Sequence, residues 1–405
     1  MSKTIQENIL DFDFKKSDTR YGPHGIHTWL AAMIPPLAKK LIEKTKPTNL
    51  LDPFSGGGTV CVEGILNKIP ATAVDANPLS YIITKAKTTP LTHSKTKDLF
   101  EEIKNDATNN DFTEFHFPDY KEYRTEYWFK EEHFGPLNSL ARSIYEIKNK
   151  KLKVFFQCVF SATVRDVSLT YRNEIRLRRL EPKDLVKFDR DVLKTFETRY
   201  EKTLDRLKEL PSKSNAKVIT GDVKKMPFKN NEFSTIICSP PYGDERNGVP
   251  YFQFTKNMAY WLGIPKNDLE SYKKNVLGWF NKETILEKHS PESKTFRKLL
   301  KDIKSNQKNV NEAISFYSDY NIALQEMSRV TNDKIVIVIG NRVLNKTIVN
   351  NAKITTELFE NLGIKLSEHL KRDLPSKRIP RFGDSKIVEG GQIDKEDILI
   401  YSLKK

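Results

Sequence analysis

Ser239, Pro240, Pro241 and Tyr242 form a short segment directly after an apolar stretch with the pattern of a buried strand. Two consecutive prolines fix the backbone dihedral φ, so they hold the chain beyond the strand in one extended shape. The Ser239 hydroxyl and the Pro240 carbonyl offer hydrogen-bond acceptors, and Tyr242 offers an aromatic face on which a base can stack. Such acceptors can draw the hydrogens of an exocyclic amino group into a geometry that frees its nitrogen lone pair. A proline-rich turn that only ends a strand is the alternative interpretation.

A second loop, residues 52–59, has the sequence Asp-Pro-Phe-Ser-Gly-Gly-Gly-Thr and lies between a predicted strand and a predicted helix. Glycines at such a position let the backbone approach a nucleotide-like ligand closely. The spacing of Gly56 and Gly58 starts like a dinucleotide fingerprint, but Cys61 stands where the third glycine belongs, which disfavours a nicotinamide dinucleotide. The loop is also too short for a P-loop, and no Gly-Lys-Ser/Thr sequence follows it.

Asp75 ends the next predicted strand, about 17 residues beyond Gly58. A carboxylate at this place can accept hydrogen bonds from the hydroxyl groups of a ribose. A tight turn with a helix-capping aspartate is the alternative. Because ligands of open α/β sheets bind at the carboxyl ends of the strands, we expect the glycine loop, Asp75 and the Ser-Pro-Pro-Tyr segment to share one edge.

Short apolar stretches followed by polar clusters predict the strands of this sheet, at residues 49–51, 71–74, 217–220, 234–238, 334–340 and 397–402. A helix is predicted to begin near Trp29 and to kink or restart at Pro35 and Pro36, and another covers residues 354–362. Alternating strands and helices predict a doubly wound, Rossmann-like α/β fold with a parallel sheet.

The 405 residues exceed the size at which one hydrophobic core usually stops growing, so a second lobe is expected. Residues 91–215 are charged and mostly helical in pattern, which indicates a helical insertion. Residues 1–90 and 216–405 together form the sheet-containing domain. Within the second of these segments, residues 244–320 look irregular and rich in lysine.

These motifs resemble, in their order and their residues, those of the DNA amino-methyltransferases. Residues 52–59 resemble the cofactor-binding motif I of that family, residues 239–242 the catalytic motif IV, and residues 20–27 the motif X that packs over the methionine end of the cofactor. The resemblance implies a methyltransferase sheet, S-adenosylmethionine as cofactor and double-stranded DNA as substrate, with the insertion as a candidate recognition region. The implied cofactor-binding residues are His24, Asp52, Phe54, Gly56, Gly58, Asp75 and Asp222, and the implied catalytic residues are Ser239, Pro240, Pro241 and Tyr242.

Family members with Ser-Pro-Pro-Tyr mostly methylate N4 of cytosine, whereas Asp-Pro-Pro-Tyr or Asn-Pro-Pro-Tyr is typical of adenine N6 enzymes. Ser239 therefore favours cytosine N4, in an enzyme of a restriction-modification system with a possible cognate restriction endonuclease. The alternatives are an adenine N6 enzyme, an RNA guanine N2 methyltransferase, and a non-catalytic DNA-binding subunit. Methylation of cytosine C5 is disfavoured, because it needs a cysteine nucleophile after a proline, and no cysteine of this chain follows one.

Basic residues outnumber acidic ones by 68 to 53, and the formal net charge of +15 attracts a polyanion such as nucleic acid. Residues 165–179 interleave arginines with small polar and aromatic residues, a mixture that suits contacts with phosphates and bases. The candidate DNA-binding residues of this run are Arg172, Arg176, Arg178 and Arg179. A solvated helix face paired with nearby acidic residues is the alternative interpretation.

The cysteines show no Cys-x-x-Cys spacing, and the histidines show no metal-ligand spacing with Asp, Glu or Cys, so we expect no metal. Methyl transfer from a sulfonium needs none, because the leaving group is already activated. The amino terminus lacks the apolar core of a signal peptide, and no apolar stretch is long enough to span a bilayer. We therefore expect a cytoplasmic protein without a membrane partner.

Overall fold

A seven-stranded, mostly parallel β-sheet forms the centre of the fold. The computed structural model describes residues 12–109, 117, 123–171, 177–214, 216–243, 251–374 and 395–403. In chain order the sheet contains β1 (Leu50–Asp52), β2 (Ala71–Asp75), β3 (Lys217–Thr220), β4 (Phe233–Cys238), β5 (Thr331–Gly340), β8 (Lys365–Asp373) and β9 (Lys395–Ser402), while β6 (Arg342–Leu344) and β7 (Thr347–Val349) form a separate hairpin. The spatial order is β3-β2-β1-β4-β5-β9-β8, and β9 runs antiparallel to both of its neighbours.

The strand order reverses between β1 and β4. From β1 the sheet continues to β2 and β3 on one side, and from β4 it continues to β5 and β9 on the other. Parallel pairing of Leu50 with Thr235 and of Leu51 with Ile236 places the carboxyl ends of β1 and β4 side by side. Open α/β sheets have their ligand crevice at such a reversal. The predicted doubly wound, Rossmann-like α/β fold is confirmed.

Helices pack against the sheet and against each other. They are α1 (Pro35–Thr45), α2 (Thr59–Leu66), α3 (Pro78–Lys87), α4 (His93–Asn109), α5 (Thr125–Trp128), α6 (Phe134–Glu146), α7 (Lys150–Val167), α8 (Pro182–Leu185), α9 (Val192–Leu207), α10 (Tyr251–Trp261), α11 (Lys266–Asn275), α12 (Lys294–Ile303), α13 (Gln307–Val330) and α14 (Asn351–Asn361). Neighbouring residues of β4 point to opposite faces. Ile236 packs in a cluster with α13 and α14, whereas Ile237 packs in another with α1.

Helices α4 to α9 lie within residues 91–215 and pack through aromatic rings. Phe100 stacks on Tyr200 with ring centroids 3.9 Å apart, and Phe156 lies parallel to the same tyrosine at 6.1 Å. The Tyr200 hydroxyl is 2.8 Å from that of Thr96, so its polar atom is satisfied inside this cluster. The described part of the segment contains helices and no strand of the sheet.

The helix that the sequence predicts near Trp29 begins only at Pro35. Proline favours the first turn of a helix, because its missing N–H needs no partner there and its φ is already suitable. The residue before it, Ile34, is extended, with φ −75° and ψ 138°. The expectation that the helix begins near Trp29 is therefore wrong, although a helix does begin at Pro35, one of the two positions predicted for a restart. Residues 29–33 instead line a cavity at the edge of the sheet.

Residues 244–320 are more regular than their composition suggests. From residue 251 onward they contain α10, α11, α12 and most of α13, so the expectation of an irregular section is wrong for the described part. Buried Phe316, Tyr320 and Met327 recur at helical spacing in α13, but the polar residues between them hide the pattern. Strand β8 was not predicted, because most of its side chains are exposed or half-exposed. Within the described ranges, no helix is sufficiently long and apolar to cross a membrane.

Candidate active site

Two adjoining cavities open at the carboxyl edge of the sheet, where the strand order reverses. Both are lined by Trp29, Phe54, Gly56, Ser239 and Tyr251, so they form one crevice between the glycine loop and the Ser-Pro-Pro-Tyr segment. The residues of the predicted site that line this crevice are Asp52, Phe54, Gly56, Asp75, Ser239 and Pro241. Two loops that are distant in the chain therefore meet in space.

Hydrogen bonds from the end of β2 hold the glycine loop. The N–H of Gly56 donates to one carboxylate oxygen of Asp75, and the N–H of Asn77 donates to the other, each at 2.8 Å. Gly58 has a φ of +80°, and a Cβ at this position would lie 2.7 Å from the hydroxyl of Thr84. Only glycine adopts this positive φ readily and has no Cβ to clash with Thr84, so the sequence of the loop determines its conformation.

Trp29 covers the glycine loop. A Cβ on Gly56 would lie 2.5 Å from the indole nitrogen, and a Cβ on Gly57 would lie 2.7 Å from the Cβ of Trp29, so both glycines allow this close approach. The indole also contacts Tyr251 and Phe254 of α10, with ring centroids 6.4 Å and 5.7 Å away. Sequence reasoning placed Trp29 on a helix and missed this role.

Two carboxyl groups that line the crevice, the buried Asp52 and the half-buried Asp75, have raised pKa values. Burial raises the pKa of Asp52 to about 8, although the N–H of Phe54 donates to it at 3.1 Å. Burial raises the pKa of Asp75 to about 6, against the opposing effect of its two backbone hydrogen bonds. Desolvation outweighs hydrogen bonding in both cases. At pH 7 Asp52 is therefore largely protonated, whereas Asp75 is largely charged.

The Ser-Pro-Pro-Tyr segment is anchored through its tyrosine. Ser239 and Pro241 line the crevice, Pro240 is buried, and the Tyr242 side chain is half-buried. The Tyr242 hydroxyl donates to Glu396 of β9 at 2.9 Å. Burial, and then the negative charge of Glu396, raises the pKa of Tyr242 well above its ordinary value, so the phenol stays protonated. Glu396 lies 154 residues further along the chain, and no sequence signal pointed to it.

Asn351 fixes the backbone behind the tyrosine. Its amide nitrogen donates to the carbonyl of Tyr242 at 3.1 Å and to the carbonyl of Gly340 at 2.8 Å. Its side-chain oxygen accepts a hydrogen bond from the Tyr317 hydroxyl. A single buried amide thus joins the loop after β4 to the end of β5 and to α13. Sequence reasoning missed it, because an asparagine at the start of a helix has many other uses.

Two other residues of the predicted cofactor site point elsewhere. His24 is buried and lies 2.7 Å from a carboxylate oxygen of Glu63 in α2. Asp222 accepts a hydrogen bond from the backbone N–H of Lys224 at 2.9 Å, and its side chain lies 3.6 Å from the Lys224 amine. Neither lines the crevice, although Gly221 and Val223, the neighbours of Asp222, do.

The predicted DNA-binding arginines are described only in part. Arg172 and Arg176 lie outside the described residues. Arg178 pairs with Glu181 at 3.2 Å and lies over the ring of Tyr171 at 4.1 Å. Arg179 donates to the Tyr127 carbonyl at 2.8 Å. Both described arginines therefore have intramolecular partners.

The opposite wall of the crevice comes from helices beyond the Ser-Pro-Pro-Tyr segment. Tyr251 opens α10, Tyr272 belongs to α11, and Val276 and Leu277 follow that helix. These side chains make one side of the crevice largely apolar and aromatic, opposite the polar glycine loop. A cavity with one polar and one aromatic wall can hold a flat, partly polar ligand. The position of Tyr251, soon after the Ser-Pro-Pro-Tyr segment, indicates a pocket residue in the sequence, whereas Tyr272, Val276 and Leu277 were missed because they fall in the section that looked irregular.

The chain is similar over nearly its whole length to a known methyltransferase. It is 31% identical over 413 residues to the Type II methyltransferase M.MvaI of Kocuria varians, in a match that covers 94% of this chain and 90% of the relative. The chain belongs to the type II DNA methyltransferases. No family model matches its sequence.

The cysteines of this methyltransferase are buried thiols. Cys61, Cys158 and Cys238 are all free, and burial raises the pKa of each thiol above its ordinary value. A neutral, buried thiol is a poor nucleophile. In the part of the chain that the structure describes, no cluster of three or more His, Cys, Asp or Glu residues is arranged to bind a metal ion.

Lys87, at the end of α3, places an amine beneath the glycine loop. Its Nζ donates to the Gly57 carbonyl at 3.1 Å, and the side chain is buried. Burial lowers the pKa of Lys87 to about 8. Burial also lowers the pKa of His24 and that of His27, to which the nearby Lys87 charge contributes in both cases. The amine thus places a positive charge against this loop of the methyltransferase.

Lys87→Met is expected to change how stability depends on pH. Between pH 8 and 10.5 the unfolded chain keeps a proton on Lys87 that the folded protein releases, so Lys87 makes the free energy of unfolding rise with pH in this window. Urea denaturation across this range should show wild type gaining stability relative to the Met variant as the pH rises. The same pH dependence in both proteins would contradict the assigned shift.

Proposed function

We propose that this DNA methyltransferase transfers a methyl group from S-adenosylmethionine to N4 of cytosine in duplex DNA. The observation that carries the proposal is the crevice itself, where Ser239 of the Ser-Pro-Pro-Tyr segment and Gly56 of the glycine loop line the same walls. A methyl group passes directly between two reactants only if they are held close and in line. A shared crevice allows that arrangement.

The glycine loop and the two acids fit the cofactor. Each oxygen of Asp75 accepts one backbone hydrogen bond, which leaves lone pairs free for the hydroxyl groups of a ribose. Asp52 is a buried carboxyl group on the same wall as Gly56, Gly57 and Thr59. A carboxyl group of this kind suits a ligand that carries positive charge, because a nearby cation favours its ionised form. When bound, the cofactor supplies a methyl group on a sulfonium, which is already activated for transfer.

The Ser-Pro-Pro-Tyr segment would position the amino group of the base. The Ser239 hydroxyl and the Pro240 carbonyl accept hydrogen bonds from the two amino hydrogens, which frees the nitrogen lone pair for attack. Asn351 and the proline ring atoms keep the backbone of this segment still. The Tyr242 ring provides a stacking face for a base that has been turned out of the duplex. Because Tyr242 donates to Glu396, its ring has one fixed position.

Serine at the head of this segment is what favours cytosine N4 over adenine N6, since the resemblance to the amino-methyltransferases links serine mostly with cytosine. Membership of the type II family places the reaction in a restriction-modification setting. The proposed partners are therefore duplex DNA and a cognate restriction endonuclease that cuts the same site when it is unmethylated.

The identity of the methylated base is tested by analysing the product. Duplex DNA of mixed sequence is incubated with the protein and a cofactor carrying a deuterated methyl group, then digested to nucleosides and analysed by mass spectrometry. The expected product is labelled N4-methyldeoxycytidine. Labelled N6-methyldeoxyadenosine would show that the methylated base is adenine and not cytosine. Label found only in added RNA would favour guanine N2 methylation of RNA. DNA binding without any label would indicate a non-catalytic subunit.

Asp75→Asn should weaken cofactor binding and change its pH dependence. The pKa of Asp75 lies at about 6, so wild type should lose cofactor affinity as the pH falls through 6 and the carboxylate becomes protonated. The amide of the variant does not titrate, and the loss of a charged acceptor should raise Kd about tenfold at pH 8. Calorimetric titration from pH 5 to 8 measures both effects. Equal Kd values in the two proteins across that range would remove Asp75 from the site.

Tyr242→Ala should retain cofactor affinity and lower methyl transfer by roughly 10- to 100-fold, the usual effect of losing one base-stacking ring. Tyr242→Phe is the matched control, because it keeps the ring and removes the hydroxyl that bonds to Glu396. Transfer of labelled methyl groups to DNA is the measurement. Turnover by the Ala variant at the rate of the Phe variant would argue against a stacking role.

A further inference from the structure

An open basin of about 660 Å³ lies beside the crevice. It is bounded by one face of α9, by the loop before that helix and by part of the segment that precedes Trp29. Its basic residues are Arg20, Arg190, Lys194, Arg199, Lys202 and Arg206. Arg20 begins the segment of residues 20–27 named in the sequence analysis, whereas the other five fall within residues 190–206 and were not singled out.

The basin carries more positive than negative charge. Its carboxylates are Asp166, Asp189 and Asp191, so acidic groups number half the basic ones. Asp166 is already paired with Arg199 at 2.6 Å. Asp191 accepts a hydrogen bond from the backbone N–H at the first turn of α9, at 2.6 Å, and so caps the helix. Two of the three carboxylates of the basin therefore already have partners within the protein.

The basic residues of the basin differ in whether they have a partner within the protein. Arg206 donates to the carbonyls of Arg20 and Gly22, which fixes one rim. By contrast, no carboxylate in the described ranges forms an ion pair with Arg190, Lys194 or Lys202. Lys194 and Lys202 are exposed, and Arg190 is half-exposed. A cluster of unpaired cations in a concave surface attracts an anion with several charges.

The spacing of these cations suits an extended anion. Lys194 and Lys202 are two helical turns apart and lie on the same face of α9, so their Cα atoms are about 12 Å apart. A single phosphate ion cannot contact both ends of such a row. The phosphates of one DNA strand, which follow each other every 3.4 Å or so along the duplex axis, can.

The basin and the crevice lie close together in the fold. Ile26 lines the basin and Trp29 lines the crevice, so three residues of chain, roughly 10 Å at most, separate the two walls. A second link runs through α7, where Asp166 faces the basin and the adjacent Arg165 lies 4.7 Å from the ring of Phe254. Phe254 in turn contacts Trp29 edge to face.

We propose that this basin binds the phosphate backbone of the DNA whose base enters the crevice. The inference rests on the proposed function, because it takes duplex DNA as the substrate. It goes further by assigning the contact to Arg190, Lys194 and Lys202, which lie outside the arginine-rich run of residues 165–179. These contacts supply affinity and register and carry no sequence information.

The test replaces these three cations together, as Arg190→Gln, Lys194→Gln and Lys202→Gln. Each phosphate contact contributes about 0.9 to the slope of log K against log salt concentration, so loss of three contacts should lower that slope by about 2.7. DNA affinity is measured by fluorescence anisotropy at several salt concentrations. Cofactor affinity should remain that of wild type, because none of the three residues lines the crevice.

A matched control replaces three lysines at the start of α7, away from the basin. Lys148, Lys150 and Lys151 are exposed, and Lys150 lies about 24 Å along the helix from Asp166. Their replacement by Gln removes the same charge and should leave the salt slope unchanged. An equal change of slope in both triple variants, or no change in either, would overturn the assignment of the basin.

Methyl transfer by the wild-type protein and the salt slope of the basin variant distinguish failure of the proposed function from failure of the basin proposal. If the wild-type protein transfers methyl groups to DNA and the basin variant keeps the wild-type salt slope, only the basin is overturned. If the wild-type protein neither binds nor methylates DNA, the proposed function fails first and the basin with it. A basin variant with weaker DNA binding, an altered salt slope and intact cofactor binding supports both.

Discussion

The parallel pairing of β1 with β4 is the constraint on which the crevice depends. These strands are separated in the chain by about 180 residues, yet Leu51 pairs with Ile236, so their carboxyl ends emerge next to each other. The loop after β1 contains the glycines, and the loop after β4 contains Ser239. Neither loop needs the other in order to form, and it is the sheet that brings them together.

Around that junction, side chains of the protein itself hold both loops in place. Asp75 and Lys87 bind adjacent residues of the glycine loop, one as an acceptor for the Gly56 N–H and the other as a donor to the Gly57 carbonyl. Asn351 and Glu396 hold the tyrosine segment in the same way. A site built in advance does not have to order itself on binding, which lowers the entropic cost of both cofactor and base.

Local patterns were enough to predict the central strands, the glycine loop and the rigid Ser-Pro-Pro-Tyr segment, because each depends on residues that are adjacent in the chain. Contacts across the chain could not be read in this way. Trp29 was assigned to a helix since its neighbours are apolar, and only the folded chain shows that the glycines leave space for its indole. Glu396 and Asn351 carry no local motif. Strand β8 was missed because an exposed edge strand lacks the apolar pattern on which strand prediction relies.

We propose that one crevice at the β1–β4 junction binds both the cofactor and the base. It is tested most directly by a crystal structure with S-adenosylhomocysteine, the demethylated product of the cofactor. We expect the ribose at Asp75, the glycine loop along the ligand, and the sulfur directed toward Ser239. A ligand bound away from Gly56, or one whose sulfur is separated from Ser239 by the body of the sheet, would contradict it.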